Sequence, residues 1–111
     1  MEKLIIKIPR KNYSIEIAEM DFPEELNWKT AEKNCIEKGE GWRMPELMEL
    51  EHIFKAIKKL KAHNFNADFY WSSTEFYMAA YYFNFRKGYS TYIVKGHKNA
   101  LRMVRTITKK H

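Results

Sequence analysis

The apolar residues of this 111-residue chain change their period once, and that change narrows the fold sharply. Leu47, Leu50, Ile53, Phe54, Ile57 and Leu60 recur on one helical face, with Lys55, Lys58, Lys59 and Lys61 facing away. From Phe69 onward the period is two, and Tyr81, Phe83 and Phe85 alternate with Tyr82, Asn84 and Arg86. An earlier helix is marked by Asn27 as N-cap, by Trp28, Ala31 and Cys35 on one face, and by Gly39 as stop. Upstream, Lys3–Ile8 and Ser14–Met20 read as strands around a turn at Pro9-Arg10-Lys11-Asn12. Lys87-Gly88 is a second turn signal, and Tyr89–Lys95 and Ala100–Ile107 read as two closing strands. Strands, two helices and then strands predict an α+β domain and exclude a βαβ array.

The second helix carries its own polarity. Pro45 suits its first turn, Glu46, Glu49 and Glu51 crowd its N-terminal end, and lysines crowd the other. His63-Asn64 is the expected stop. The chain is long enough for one hydrophobic core, so residues 1–111 are expected to form a single domain. Only 4 Gly and 3 Pro beside 17 aromatic residues exclude a disordered or low-complexity chain. No apolar run approaches the roughly 18–20 residues of a membrane helix. Lys7 cuts the N-terminal run short of a signal-peptide core, so the expected location is the cytoplasm, or a phage or surface particle whose targeting segment is absent. With one cysteine, Cys35, there is no intrachain disulfide framework.

Three segments in order carry a family likeness. They are Trp28-Lys-Thr-Ala31-Glu-Lys-Asn-Cys35, then Gly41-Trp42-Arg43-Met44-Pro45 with Glu49-Leu50, then Tyr70-Trp71-Ser72-Ser73-Thr74 followed by Ala80–Phe85 and Leu101-Arg102-Met103-Val104-Arg105. Together they resemble the bacterial and phage family typified by the Lcl C-terminal domain, with its GWRLP, YWSST and VRxVR signatures. The resemblance runs from about Trp28 to Ile107 and implies a variant of the C-type lectin-like fold. It implies two helices on a twisted antiparallel sheet, with adjacent N- and C-terminal strands. It implies binding more than chemistry. The calcium-binding EPN or QPD loop and WND triplet of sugar-binding C-type lectins do not occur, and the cysteine pair of formylglycine-generating enzymes is reduced to one. Where that family usually has Thr or Ser after the proline, this chain has Glu46, whose carboxylate is expected to serve the helix N-terminus instead.

Residue by residue, the candidate chemistry is thin. Trp28, Trp42 and Trp71 are expected in the core, and Arg43 to pair internally with Glu49 or a backbone carbonyl. Ser72-Ser73-Thr74 lacks a nucleophile-elbow setting and a supporting His–Asp arrangement, and reads as a loop held by hydroxyl-to-backbone bonds. Cys35 reads as a buried apolar residue. His52, His63, His97 and His111 are scattered without metal-ligand spacing, and Glu24-Glu25 reads as a solvated turn. Neither a catalytic residue nor a metal or cofactor is expected.

The last third is different. Residues 1–75 hold 12 basic and 14 acidic side chains, whereas residues 76–111 hold 8 basic and none acidic. Residues 69–92 also hold 11 of the 17 aromatics. Exposed tyrosines beside Arg, Asn and His have the composition of a recognition surface, because Tyr offers rigid contact area and a hydroxyl at low entropic cost. The resemblance agrees, since in the retroelement variable proteins of related fold the same late strands and loops carry the ligand site. The expected ligand-binding residues are Tyr77, Tyr82, Asn84, Arg86, Tyr89, Tyr92, Lys95 and His97, and the expected partner is a protein or glycan bound without calcium. Two alternatives stand beside this. Lys95, Lys98, Arg102, Arg105, Lys109 and Lys110 would suit nucleic-acid phosphates with tyrosines stacking on bases. Alternatively, the domain is a structural subunit of an assembly. Against the first, the acidic first two-thirds can absorb some of these charges, and Lys109-Lys110-His111 reads as a tail.

Overall fold

A computed structural model describes residues 3–60 and 63–108; Lys61 and the tail Lys109-Lys110-His111 lie outside the described residues. The elements are β1 (Leu4–Lys7), β2 (Tyr13–Ile17), α1 (Trp28–Lys38), α2 (Leu47–Ile57), β3 (Phe69–Phe76), β4 (Ala79–Asn84), β5 (Tyr89–Val94) and β6 (Val104–Thr108). The α+β order matches the reading of the periods. The single sheet does not: there are two antiparallel three-stranded sheets, β1-β2-β6 and β3-β4-β5. The N- and C-terminal strands share a sheet but are not neighbours: the second strand, β2, lies between β1 and β6, with its Ile17 opposite Val104 and its Tyr13 opposite Thr108.

The seam between the sheets explains another difference. Ala100–Ile107 was expected to be one strand, but only its second half is, because residues 99–103 bond to loops and to two elements at once. Asn99 bridges Leu26, Ala100 bridges Tyr70, and the carbonyls of Leu101 and Met103 accept from the N–H groups of Phe22 and Ala18. Ala100, Leu101, Arg102, Met103 and Val104 are all buried, so both sides of this segment face protein.

α1 begins and ends where its sequence dictates. The Asn27 side chain accepts from the Thr30 N–H at 2.9 Å, and Gly39, at φ 70°, sends its N–H back to the carbonyls of Cys35 and Ile36. α2 is shorter than expected. Beyond Ile57 the bonds tighten to i→i−3, from Lys59 to Ala56 and from Leu60 to Ile57. Leu60 is left exposed, because the apolar surface under the helix ends one turn earlier.

Each helix covers one face of the β3-β4-β5 sheet. Leu50, Ile53 and Ile57 of α2 pack with Ile15, Ile17, Tyr70, Phe83 and Val104. Trp28, Ala31 and Cys35 of α1 pack with Met44, Trp71, Ala80, Leu101 and Met103. Each of the buried Leu, Ile, Val and Met side chains contributes roughly 1.5–3 kcal/mol on burial. Trp28 and Trp71 are fully enclosed, as expected. Trp42 corrects the expectation: it is half-buried, with Lys38 and Arg105 over its ring at 5.5 Å and 4.7 Å.

Candidate functional site

The conspicuous motifs are internal framework. Arg43 grips Glu49 with two donors, Nη1 at 2.8 Å and Nη2 at 2.9 Å, so the expected pair forms. Glu49 is fully buried and also accepts from the Tyr13 hydroxyl and the Glu46 N–H, both at 2.8 Å. Burial alone would raise its pKa, but hydrogen bonds from Arg43, Glu46 and Tyr13 outweigh burial and hold it below the ordinary carboxylate value. The start of α2 is closed by a capping box, in which the side chains of Glu46 and Glu49 each accept from the other's backbone N–H, and the Leu47 N–H is met from β3 by the Thr74 hydroxyl at 3.2 Å. Ser72 donates to the Tyr81 carbonyl and accepts from the Thr74 N–H inside an irregularity of β3 between Trp71 and Glu75. The two buried tryptophans are tied as well, Trp28 to the Ser72 carbonyl and Trp71 to the Leu26 carbonyl. Burial, aided by Glu32, pushes the Cys35 thiol up to about 11.

Half of the described basic residues of the last third are spent internally. Arg102 is buried, binds Asp21 at 2.8 Å, and gives further hydrogen bonds to the Ala18, Glu19 and Asn64 carbonyls and to Asn64 Oδ1. Its guanidinium lies 4.0 Å from the Phe65 ring centroid. Arg105 binds Glu16 at 2.9 Å, and Lys95 binds Glu75 while lying over Trp28. Arg86, Lys87 and Lys98 have no ion-pair partner among the described residues.

The eight expected ligand-binding residues do not form one surface. Asn84 is buried, and its side-chain oxygen accepts from the N–H groups of Arg86 and Lys87, so it shapes the β4–β5 turn and is not a contact residue. Arg86 and Tyr89 sit with it at that end of the hairpin. Tyr82 is half-buried on the α1 side, against Phe69 and the Trp71 cluster. Lys95 is committed to Glu75, and exposed His97 follows it in a turn where its N–H bonds to the Val94 carbonyl. Tyr77 and Tyr92 are exposed near the opposite end from Arg86.

The aromatics that do come together surround those last two. Phe76 lies 4.7 Å from Tyr77, 4.7 Å from Tyr92 and 6.2 Å from Tyr81, and Tyr81 lies 5.5 Å from Tyr92. Phe76, Ala79, Tyr81, Tyr92 and Val94 share one sheet face by register, on the α2 side but past Phe83. Tyr77 and Met78 form the two-residue turn between β3 and β4 and are 86% and 83% exposed; Val94 is 63% exposed. Tyr77 has φ 56°, the left-handed region that Gly, Asn or Asp normally takes at such a turn. Phe76, Met78, Tyr81 and Val94 are not among the eight residues expected to bind a ligand. Their signal was there: Phe76-Tyr77-Met78 is an apolar run where a tight turn would carry polar residues.

The chain belongs to the Lcl C-terminal domain family, whose model matches residues 10–105. A search of the curated proteins finds no match to the chain. Among the described residues no helix is long and apolar enough to cross a membrane.

Proposed function

We propose that this chain is a non-enzymatic recognition module of C-type lectin-like fold that binds a protein ligand without calcium. Its contact surface is the aromatic cluster of Phe76, Tyr77, Met78, Tyr81, Tyr92 and Val94. The observation that carries the reading is Tyr77, almost wholly exposed in a backbone conformation that disfavours a tyrosine. Holding a bulky residue there costs on the order of 1–2 kcal/mol, and its contact with Phe76 returns only part of that. Exposed large apolar residues grouped in this way mark interaction sites. A protein suits the surface better than a glycan, because Phe76, Met78 and Val94 offer no polar group to sugar hydroxyls. The pairing of β2 with β6 and the two flanking helices support the finer fold assignment.

The test is a combined protein and glycan array probed with the wild type and a Tyr77→Ala/Tyr92→Ala variant. Protein hits lost in the folded variant support the reading. Unchanged hits, or hits confined to glycans, overturn it. Binding confined to nucleic acids, with affinity falling log-linearly in salt, also overturns it.

A further inference from the structure

β5 is the outer strand of its sheet, and among the described residues no strand pairs with its far side. The other edges are partly bridged or short. β3 is bridged to Ala100 at Tyr70 and bonds to the Pro45 carbonyl through the Ser73 N–H, β6 is bridged to Arg43 at Val104, and β1 has only 4 residues and ends on Lys7. β5 has none of these protections. Its residues Tyr89–Val94 pair with β4 in unbroken register, contain no proline, charge or bulge, and include no buried residue. An open, regular, uncharged edge is a template for a further strand, and proteins normally blunt such edges unless they use them.

The charges at its ends select the occupant. Arg86 and Lys87 precede β5, Lys95 and Lys98 follow it, and no acidic residue occurs from 76 to 111. A second copy laid antiparallel on β5 would set Arg86 and Lys87 of each chain against Lys95 and Lys98 of the other. Among the described residues only Lys95 of these four has a carboxylate, Glu75, to offset that repulsion. An extended segment with acidic residues at both ends meets attraction in the same places.

We propose that the free edge of β5 takes up an extended segment of a partner protein, about six β-forming residues flanked at both ends by Asp or Glu. The segment becomes a fourth strand, and its side chains on one face meet Tyr92 and Val94. This rests on the recognition reading above and names the chemistry of the partner.

The probe is a synthetic ten-residue peptide with two glutamates at each end of a Val-Thr-Val-Tyr-Val-Thr centre, added to the full chain. Expected are a saturable interaction and at least tenfold slower hydrogen exchange at alternate amides of β5. A version with lysines replacing the glutamates binds at least tenfold more weakly, and the difference closes in 1 M salt, where screening acts within about 3 Å. A version N-methylated at alternate residues, which removes backbone donors and keeps the side chains, does not bind.

Unprotected β5 amides, or equal binding of the N-methylated peptide, overturn the proposal. A concentration-dependent dimer with β5 amides protected in the absence of peptide overturns it too, in favour of a second copy. The two readings fail separately. If Tyr77→Ala/Tyr92→Ala abolishes array hits while the N-methylated peptide binds normally, edge pairing fails and the aromatic surface stands. If β5 is protected by the peptide while the array hits are insensitive to that variant, the reverse holds.

Discussion

Replacing Glu49 with Gln is the sharpest test of the framework, because it keeps the shape and removes the charge and one acceptor. In the wild type each carboxylate oxygen accepts twice: Oε1 from Arg43 Nη1 and the Glu46 N–H, Oε2 from Arg43 Nη2 and the Tyr13 hydroxyl. A Gln can keep the Oε1 pair, but its amide N–H₂ then confronts two donors. The Tyr13 hydroxyl can turn to accept. Arg43 Nη2 keeps only its bond to Thr106, and its side chain, about one-third exposed, recovers some hydration. The net loss is one charge-assisted bond of about 1.5–3 kcal/mol plus part of an ion pair, or about 2–4 kcal/mol in all. For 111 residues the unfolding entropy is about 0.23 kcal/mol per kelvin, so the melting temperature at pH 7 falls by about 9–17 °C.

The pH dependence checks the cause. Glu49 titrates lower in the folded than in the unfolded state, where it sits near 4.5. The unfolded chain therefore binds more protons as pH falls, and the stabilisation is present above about 4.5 and lost on acidification through the folded value. The gap between wild type and E49Q in calorimetric melting should shrink from pH 7 to pH 3. A loss under 2 °C at pH 7, or a gap that widens on acidification, would refute the reasoning.

Other outcomes follow from single contacts. Gly88→Ala should cost roughly 2 kcal/mol in urea unfolding, because φ is +85° and a Cβ there would lie 3.0 Å from the Phe54 ring. Cys35, with its thiol pushed up to about 11, should react with a thiol reagent at pH 8 at least a hundredfold more slowly than a free thiol, and at the free rate once unfolded. Millimolar calcium should leave the melting temperature within 1 °C; a rise of several degrees would refute calcium-independent binding.

Which parts of the fold were legible in the sequence follows from how local their causes are. α1 could be placed from Asn27 and Gly39 because caps act within one turn. Alternation located β4 and β5, but it carries no record of strand partners, so one sheet was expected where two exist. The same limit governs the site. The inward–outward rule presumes one covered face, yet β4 is covered by α2 on one side and by the Trp71 cluster on the other. Tyr82 and Asn84, expected to point outward, are therefore half-buried and buried, and exposed Tyr77 and Tyr92 gather instead around Phe76 by the β3–β4 turn. Arg43–Glu49 was legible because both residues stand six apart around a helix start. The Thr74 bond to Leu47 spans 27 residues and leaves no local pattern.

The recognition claim rests most heavily on Tyr77, and Tyr77→Gly isolates it. Glycine relieves the positive φ, a gain of about 1 kcal/mol that the lost Phe76 contact and the added chain entropy roughly cancel. Melting temperature and affinity for the protein ligand selected on the array should be measured side by side. The account predicts a melting temperature within about 4 °C of wild type, or higher, with affinity at least tenfold weaker. A marked loss of stability with unchanged affinity would show that Tyr77 holds the fold, and would contradict the account.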